Sequence, residues 1–497
     1  MEVKAFAGEI TRVATGALIV SCFEDAKKPE GECAAVDAAL GGTIADLIKK
    51  GDIKGKLNEM TLIHCTDKLA AERVAVLGLG KKSKLTLDKV RGAVGEACRY
   101  LRGKRIDRIA SAVLGAGVNK ISAEDAVQAM AEGAILGLYT FRRHMTKKED
   151  HTEVKEFGII GKEAAALKKA IERGRIISDS VTWVRDLVNE PSNFMTPADL
   201  AAAAQKAVKE TGIKIEVLEK QQIASLGMGA LLGVARGSHE LPRFIIMTYK
   251  GKKTNDIDIA LVGKGITFDT GGIDLKPQEG MDEMKDDMSG AASVMGAIIA
   301  IARLKLPVNV TALAPATENM PGGGAQKPGD VVTAMNGKTI EVLNTDAEGR
   351  LILSDALSYA TKLKAKAIID VATLTGSCRS TLGTFCTGVF SNNDKLVNKL
   401  IASGFEVGEY QWQFPMFEEY DEMIKSDVAD IKNLGGKFAG AITAAKFLAE
   451  FVSDIPWVHM DIAGTADADK DKGYQVKGGT GVPVRTLVNL VSKIANE

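Results

Sequence analysis

The chain has 497 residues, 45% hydrophobic and 26% charged, with lysine plus arginine and aspartate plus glutamate balanced at 64 each. That length leaves room for two or three domains with a large core, and a formal net charge of zero excludes a function built on overall attraction to nucleic acid or to an anionic membrane. Six cysteines with no Cys-x-x-Cys pair are too sparse for a disulfide scaffold, and the five histidines form no His-Glu-x-x-His zinc arrangement.

Met1 to Glu9 lacks the charged-then-apolar pattern of a signal peptide, so a cytoplasmic protein with reduced thiols is expected. Residues 1–161 alternate strand-like runs (Ala17 to Ser21, Val74 to Gly78, Ile109 to Leu114) with helix-like ones (Leu87 to Leu101, Ala123 to Gly137) and read as a compact α/β domain. Gly78-Leu79-Gly80-Lys81-Lys82-Ser83 begins like a dinucleotide fingerprint but lacks the third glycine. Residues 162–188 form a polar, helix-compatible connecting stretch, and residues 189–497 a second domain. There, strands expected near Ile257 to Val262, Val308 to Leu313, Ala367 to Val371 and Trp457 to Ile462 are separated by helical patterns. Such alternation gives a mostly parallel twisted sheet covered by helices on both faces. The longest small or apolar run, Gly290 to Ala302, reads as a buried helix and is too short to span a bilayer, so no membrane partner is expected. Pro321-Gly322-Gly323-Gly324 reads as a loop bordering the site, and Asn433-Leu434-Gly435-Gly436-Lys437 lacks the spacing of a phosphate-binding loop.

The densest chemistry lies in Asn344-Thr345-Asp346-Ala347-Glu348-Gly349-Arg350-Leu351. In extended backbone Asp346, Glu348 and Arg350 would share one side. Gly349 would allow a tight turn into the helical spacing of Leu353, Ala356, Leu357, Ala360 and Leu363, leaving the acidic pair in a strand-to-helix loop. Alone, such a pair reads as a solvated acidic turn. Upstream, however, an apolar strand enters a glycine-rich loop carrying Lys264, Asp269 and Lys276, and Asp287 stands at the start of the expected buried helix. Unpaired, these carboxylates would repel one another and raise their pKa values. Two divalent cations about 3.5 to 4 Å apart would remove the conflict and form a recurrent hydrolytic device.

Val262-Gly263-Lys264-Gly265-Ile266-Thr267-Phe268-Asp269-Thr270-Gly271-Gly272 and the 344–351 string resemble the two signatures of the leucyl aminopeptidase (cytosol aminopeptidase) family. The likeness extends through Asn189-Glu190-Pro191, Glu318-Asn319-Met320-Pro321-Gly322, Asp370-Val371-Ala372-Thr373-Leu374-Thr375-Gly376 and His459-Met460-Asp461-Ile462-Ala463-Gly464. It covers roughly residues 180 to 490 and is looser before them, where the layout resembles a macro-like fold. The resemblance implies a two-metal exopeptidase using Mn2+ or Zn2+. Asp269 and Glu348 would bridge both metals, Lys264 and Asp287 would complete the tighter site, and Asp346 the more exchangeable one. Outside this signature, Lys264 would read as an ion-pair partner, because free lysine has a pKa of about 10.4 and no lone pair until deprotonated. By the same resemblance Lys276 donates to the developing oxyanion. Arg350, which stays protonated, would hold a bicarbonate that shuttles the proton. Met284, Thr373, Leu374, Gly376, Ala463 and Ala466 match positions lining an apolar pocket suited to leucine or methionine.

The implied partners are peptides with a free amino terminus and five further copies of the chain in a homohexamer. Some bacterial relatives also bind DNA. The first 160 residues carry 26 basic and 22 acidic side chains, a slight bias that gives such a role little support. A catalytically dead scaffold is the remaining alternative, but every position of the implied centre is intact.

Overall fold

The computed structural model describes residues 1–147, 152–161 and 164–496. Lys162 and Glu163, which open the expected connecting stretch, lie outside the described residues. Contacts divide the chain into Met1–Asp179 with Asp469–Lys477, and Ser180–Ala468 with Gly478–Glu497. The division falls inside one continuous helix, Ala164–Asn189. No local sequence signal announces that Asp469–Lys477 joins the first unit.

The first unit holds a six-stranded sheet in the order Glu2–Phe6, Glu156–Ile160, Arg108–Ala112, Ala17–Cys22, Arg73–Gly78, Met60–His64. Only the last pair is antiparallel. The helices Leu87–Gly103 and Ala123–Gly137 start at Thr86 and Ser122, whose hydroxyls accept from the Lys89 and Asp125 N–H groups. Glycine lets the two helices approach: a Cβ at Gly137 would stand 2.5 Å from the Gly95 Cα, and one at Gly133 2.3 Å from the Arg91 carbonyl oxygen.

In the second unit a nine-stranded sheet follows the path Gln411–Gln413, Thr387–Ser391, Trp457–Asp461, Ile368–Ala372, Ile259–Gly263, Asn309–Asn319, Arg243–Lys250, Lys214–Leu218. Gly265–Asp269 pairs in addition with the far end of Asn309–Asn319. Pairing is parallel from Trp457–Asp461 to Asn309–Asn319 and antiparallel where Thr387–Ser391, Arg243–Lys250 and Lys214–Leu218 are added. Three central strands, Trp457–Asp461, Ile368–Ala372 and Ile259–Gly263, are buried at every residue, as parallel strands covered on both faces must be.

The helix Ser289–Arg303 lies on one face of these strands. A Cβ on Gly263 would meet the Gly290 carbonyl oxygen at 2.4 Å, and one on Gly290 the Val371 carbonyl oxygen at 2.2 Å. Val262 points the other way and joins Leu351, Phe447 and Trp457 in one apolar cluster, which seats the helix Glu348–Lys362 on the opposite face. Lys264, Thr373 and Ile462 each follow directly on the carboxyl end of a central strand, where open α/β sheets gather their ligands.

Candidate active site

The segment between Ile259–Gly263 and Gly265–Asp269 places Lys264 with 3% exposure among carboxylates. Its Nζ lies 2.7 Å from the Asp287 carboxylate and 2.9 Å from Glu348 Oε1, and donates to the Thr373 carbonyl oxygen at 2.8 Å. Lys276 Nζ bridges Asp269 Oδ2 at 2.8 Å and Asp346 Oδ1 at 2.5 Å. One carboxylate oxygen each from Asp269, Asp346 and Glu348 fall within 4.8 Å of one another. Asp287 ends the short helical turn Met281–Asp286 and accepts from the Thr373 hydroxyl at 2.7 Å. The structure therefore brings all five expected metal ligands and Lys276 into one cluster.

It corrects how the 344–351 string achieves this. Residues 344–347 form a turn, and Glu348, Gly349 and Arg350 already belong to the helix Glu348–Lys362, so extended-strand alternation is not what groups the charges. Gly349 does not make the turn either. A Cβ there would stand 2.6 Å from Lys264 Cε, so glycine is needed to let the lysine stem pass over the helix. The Pro321–Gly324 loop follows closely on Asn319, which bonds to Asp269. Its residues help line a cavity of about 350 Å³ with Arg236, Ser238 and Glu318, and no residue of the charged cluster lines it.

Several positioning residues escaped the sequence reading. Asn319 donates to Asp269 Oδ1 at 2.7 Å and to the Thr345 carbonyl oxygen at 3.0 Å, tying the two signature loops together. Thr345 N–H donates to Asp274 Oδ2 at 2.7 Å, and the Thr345 hydroxyl donates to the Gly271 carbonyl oxygen at 2.6 Å. Asn433 accepts from the Leu343 N–H at 2.8 Å and donates to the Asn344 carbonyl oxygen at 2.7 Å. The Asn433 carbonyl in turn accepts from Arg350 Nη1 at 2.8 Å. The only signal for Asn319 in the sequence was its place in the family-like string Glu318-Asn319-Met320-Pro321-Gly322, which assigns it no role.

The cluster's electrostatics follow from its burial. Burial alone would push the Lys264 ammonium down, but the fields of Asp287, Glu348 and Asp269 outweigh it and raise it above the usual lysine range. Burial against the fields of Asp269 and Glu348 likewise leaves Lys276 raised. Burial pushes the carboxyls of Asp287, Glu348 and Asp346 up, and repulsion from neighbouring carboxylates adds to it. Burial lowers the Arg350 guanidinium to about 10, so it remains a cation at neutral pH. Glu348 Oε2 and Arg350 Nε are buried without a hydrogen-bond partner. An orphaned carboxylate oxygen costs about 1–3 kcal/mol or more. The clustered carboxylate oxygens of Asp269, Asp346 and Glu348, with two lysine ammoniums bridging carboxylate pairs, fit divalent cations.

Of the expected pocket residues, Thr373 touches the cluster directly, through Lys264 and Asp287. Leu374 follows it, with its N–H already donated to Asp461 at 3.2 Å. Gly376 opens the helix Gly376–Leu382 and faces open space, with nothing within 4 Å of where a Cβ would stand. Met284 and Ala463 are half-buried, and Ala466 is buried.

A carboxylate cluster with two embedded lysines, at the carboxyl ends of parallel strands, defines a metallohydrolase type of centre. Residues 182–488 match the cytosol aminopeptidase family's catalytic domain and residues 19–148 its N-terminal domain. The chain belongs to the cytosol aminopeptidase family and is accordingly a metal-dependent aminopeptidase. A probable cytosol aminopeptidase of Geobacter sulfurreducens is 46% identical over 492 residues, covering 98% of each chain. Another, of Alkaliphilus metalliredigens, is 44% identical over 499 residues, covering 99% of this chain and 100% of the relative. Among solved structures, a point mutant of tomato leucine aminopeptidase matches with a TM-score of 0.88 at 33% identity, over 99% of this chain and 96% of that one. The bottromycin maturation enzyme BotP in complex with Mn matches with a TM-score of 0.86 at 31% identity, over 97% of this chain and 100% of that one. No helix among the described residues is long and apolar enough to cross a membrane.

Proposed function

We propose that this enzyme removes leucine and other apolar residues from the free amino terminus of peptides, using two divalent cations, Mn2+ or Zn2+, held by Lys264, Asp269, Asp287, Asp346 and Glu348. The observation that carries the reading is the buried cluster itself, in which Lys264 meets Asp287 and Glu348 while Glu348 Oε2 lacks any partner. When bound, the cations supply an activated water and polarise the scissile carbonyl.

The chain's own residues do the rest. Lys276, one-fifth exposed, is the cation positioned to donate to a developing oxyanion. Arg350 lies in the first turn of a 15-residue helix with one guanidinium nitrogen committed to Asn433 and Nε free, which suits a bicarbonate acting as proton carrier. The open space at Gly376 and the half-buried Met284 and Ala463 support an apolar pocket for the first side chain, with Thr373, Leu374 and Ala466 in the same loops. Family resemblance supports a cytoplasmic homohexamer.

Cleavage of a leucyl dipeptide, compared with the same peptide acetylated at its amino terminus, tests the reading together with metal analysis. Only the free peptide should be cleaved, and two metals per chain should accompany activity. Comparable turnover of the blocked peptide would mean that the free amine is not recognised.

A further inference from the structure

The two loops that carry the proposed side-chain pocket meet at one buried carboxylate. Asp461, the last residue of Trp457–Asp461, is 1% exposed. Its Oδ1 accepts from the backbone N–H groups of Leu374 at 3.2 Å, Thr375 at 3.4 Å and Ala463 at 3.1 Å. Its Oδ2 accepts from the Thr375 hydroxyl at 2.6 Å. Three of these donors come from the loop after Ile368–Ala372 and one from the loop after Asp461's own strand. The Thr375 hydroxyl also accepts from the Cys378 N–H at 3.0 Å, which fixes the start of the helix Gly376–Leu382.

Peptide planarity extends the reach of this carboxylate. A trans peptide holds its N–H and C=O antiparallel. The Leu374 N–H points at Asp461, so the Thr373 carbonyl of the same unit points away, to where it accepts from Lys264 Nζ at 2.8 Å. The Thr375 N–H also points at Asp461, which turns the Leu374 carbonyl outward. One rigid peptide unit thus spans the distance between Asp461 and the lysine of the metal cluster.

We propose that Asp461 is a positioning residue for substrate selection: it registers the side-chain pocket against Lys264 by holding the 373–375 and 461–463 loops together. The proposal rests on the aminopeptidase reading above. Asp461 touches neither metal nor substrate, so its loss should leave metal binding intact while the pocket drifts relative to the cluster. A side chain that fills the pocket feels that drift, whereas a glycyl substrate does not.

The test compares kcat/KM for leucyl and glycyl amides in the full-length metal-loaded protein, for wild type, Asp461→Ala, Thr375→Val and Thr375→Ser. Both Asp461→Ala and Thr375→Val should keep two metals per chain and lower the leucyl-to-glycyl ratio roughly tenfold, mainly through KM, which is on the scale of selectivity for one small apolar group. Thr375→Ser keeps the hydroxyl and should recover the ratio. Should Asp461→Ala not fold, Thr375→Val against Thr375→Ser decides. An unchanged ratio in folded Thr375→Val, or an equal loss on both amides, would mean that the network is only structural. Wild-type protein inactive on both amides would instead overturn the aminopeptidase reading, and this proposal with it.

Discussion

Gly349→Ala offers a sharp test of how the cluster is built, because the added Cβ meets Lys264 directly. A Cβ at this position would stand 2.6 Å from Lys264 Cε, 2.8 Å from Cδ and 2.9 Å from Nζ. Ordinary contact begins near 3.4 Å, so the lysine stem must retreat by about 0.8 Å. It cannot do so and keep its geometry, since Nζ is held at once by Asp287, Glu348 and the Thr373 carbonyl oxygen. Alanine is favoured over glycine inside a helix by about 1 kcal/mol. Disturbing a buried ion-paired lysine costs up to about 3–5 kcal/mol, which outweighs that gain, so the metal-free variant should melt below the wild-type temperature. A displacement near 1 Å at a reacting centre costs on the order of 10² in rate, or about 2.7 kcal/mol of barrier. Differential scanning calorimetry, metal analysis by mass spectrometry and steady-state kinetics on a leucyl amide give the three quantities needed. A variant with two metals and wild-type kcat/KM would refute the argument that glycine is there to make room for Lys264.

Three further outcomes are expected. Lys264→Ala should lose metal from the tighter site, with excess metal restoring activity only in part. Lys276→Ala should keep both metals and lose roughly 10²- to 10³-fold in turnover, the scale for one preorganised oxyanion donor; loss of metal from Lys276→Ala with a full pair in Lys264→Ala would exchange the two roles. Burial pushes the thiols of Cys22 up to about 11 and of Cys33 and Cys98 up to about 12, and Cys65 and Cys378 are also raised and buried. Maleimide should therefore label at most one thiol per native chain, Cys386, and all six after unfolding; rapid labelling of two or more in the native protein would contradict the burial assigned here.

Most of the fold was legible where a pattern is local. The helix expected from Ala123 to Gly137 has those bounds, and the central strands near Ala367 and Trp457 lie within a residue of the expected positions. The edges of the larger sheet were harder. Arg243–Lys250 and Lys214–Leu218 join it antiparallel through partners distant in sequence, and no property of either run states that direction. At the site, charged residue types in close spacing revealed the ligands. What holds them is carried by Asn319, Asn433 and Asp461, through bonds that cross 26 to 90 positions of sequence. Polar residues of this kind look like ordinary loop residues until the loops are brought together. Gly349 shows the same limit from the opposite side: the sequence advertised a turn, and the structure uses the missing side chain as space for Lys264.

The charge inventory links the two halves of the proposed mechanism. Asp269, Asp287, Asp346 and Glu348 face Lys264, Lys276 and the nearby Arg350, so with both lysines protonated the carboxylates exceed the cations by one. The raised Lys264 ammonium is what keeps that metal-free arrangement tolerable, since it meets two of the four carboxylates. On the proposed assignment, two dications cancel the four carboxylates and Lys264 gives up its proton to become a ligand. Lys276 would then lack its carboxylate partners, while Arg350 would keep the field of the Asp461 carboxylate. An anion beside Arg350 is unfavourable before metal enters, because the site is already negative, and favourable afterwards. Arg350 Nε, buried and unpartnered at a helix amino terminus, is the group such an anion would satisfy. On that assignment metal loading and anion binding would be coupled through the same carboxylates, and an anionic proton carrier would be recruited only to a metal-loaded centre.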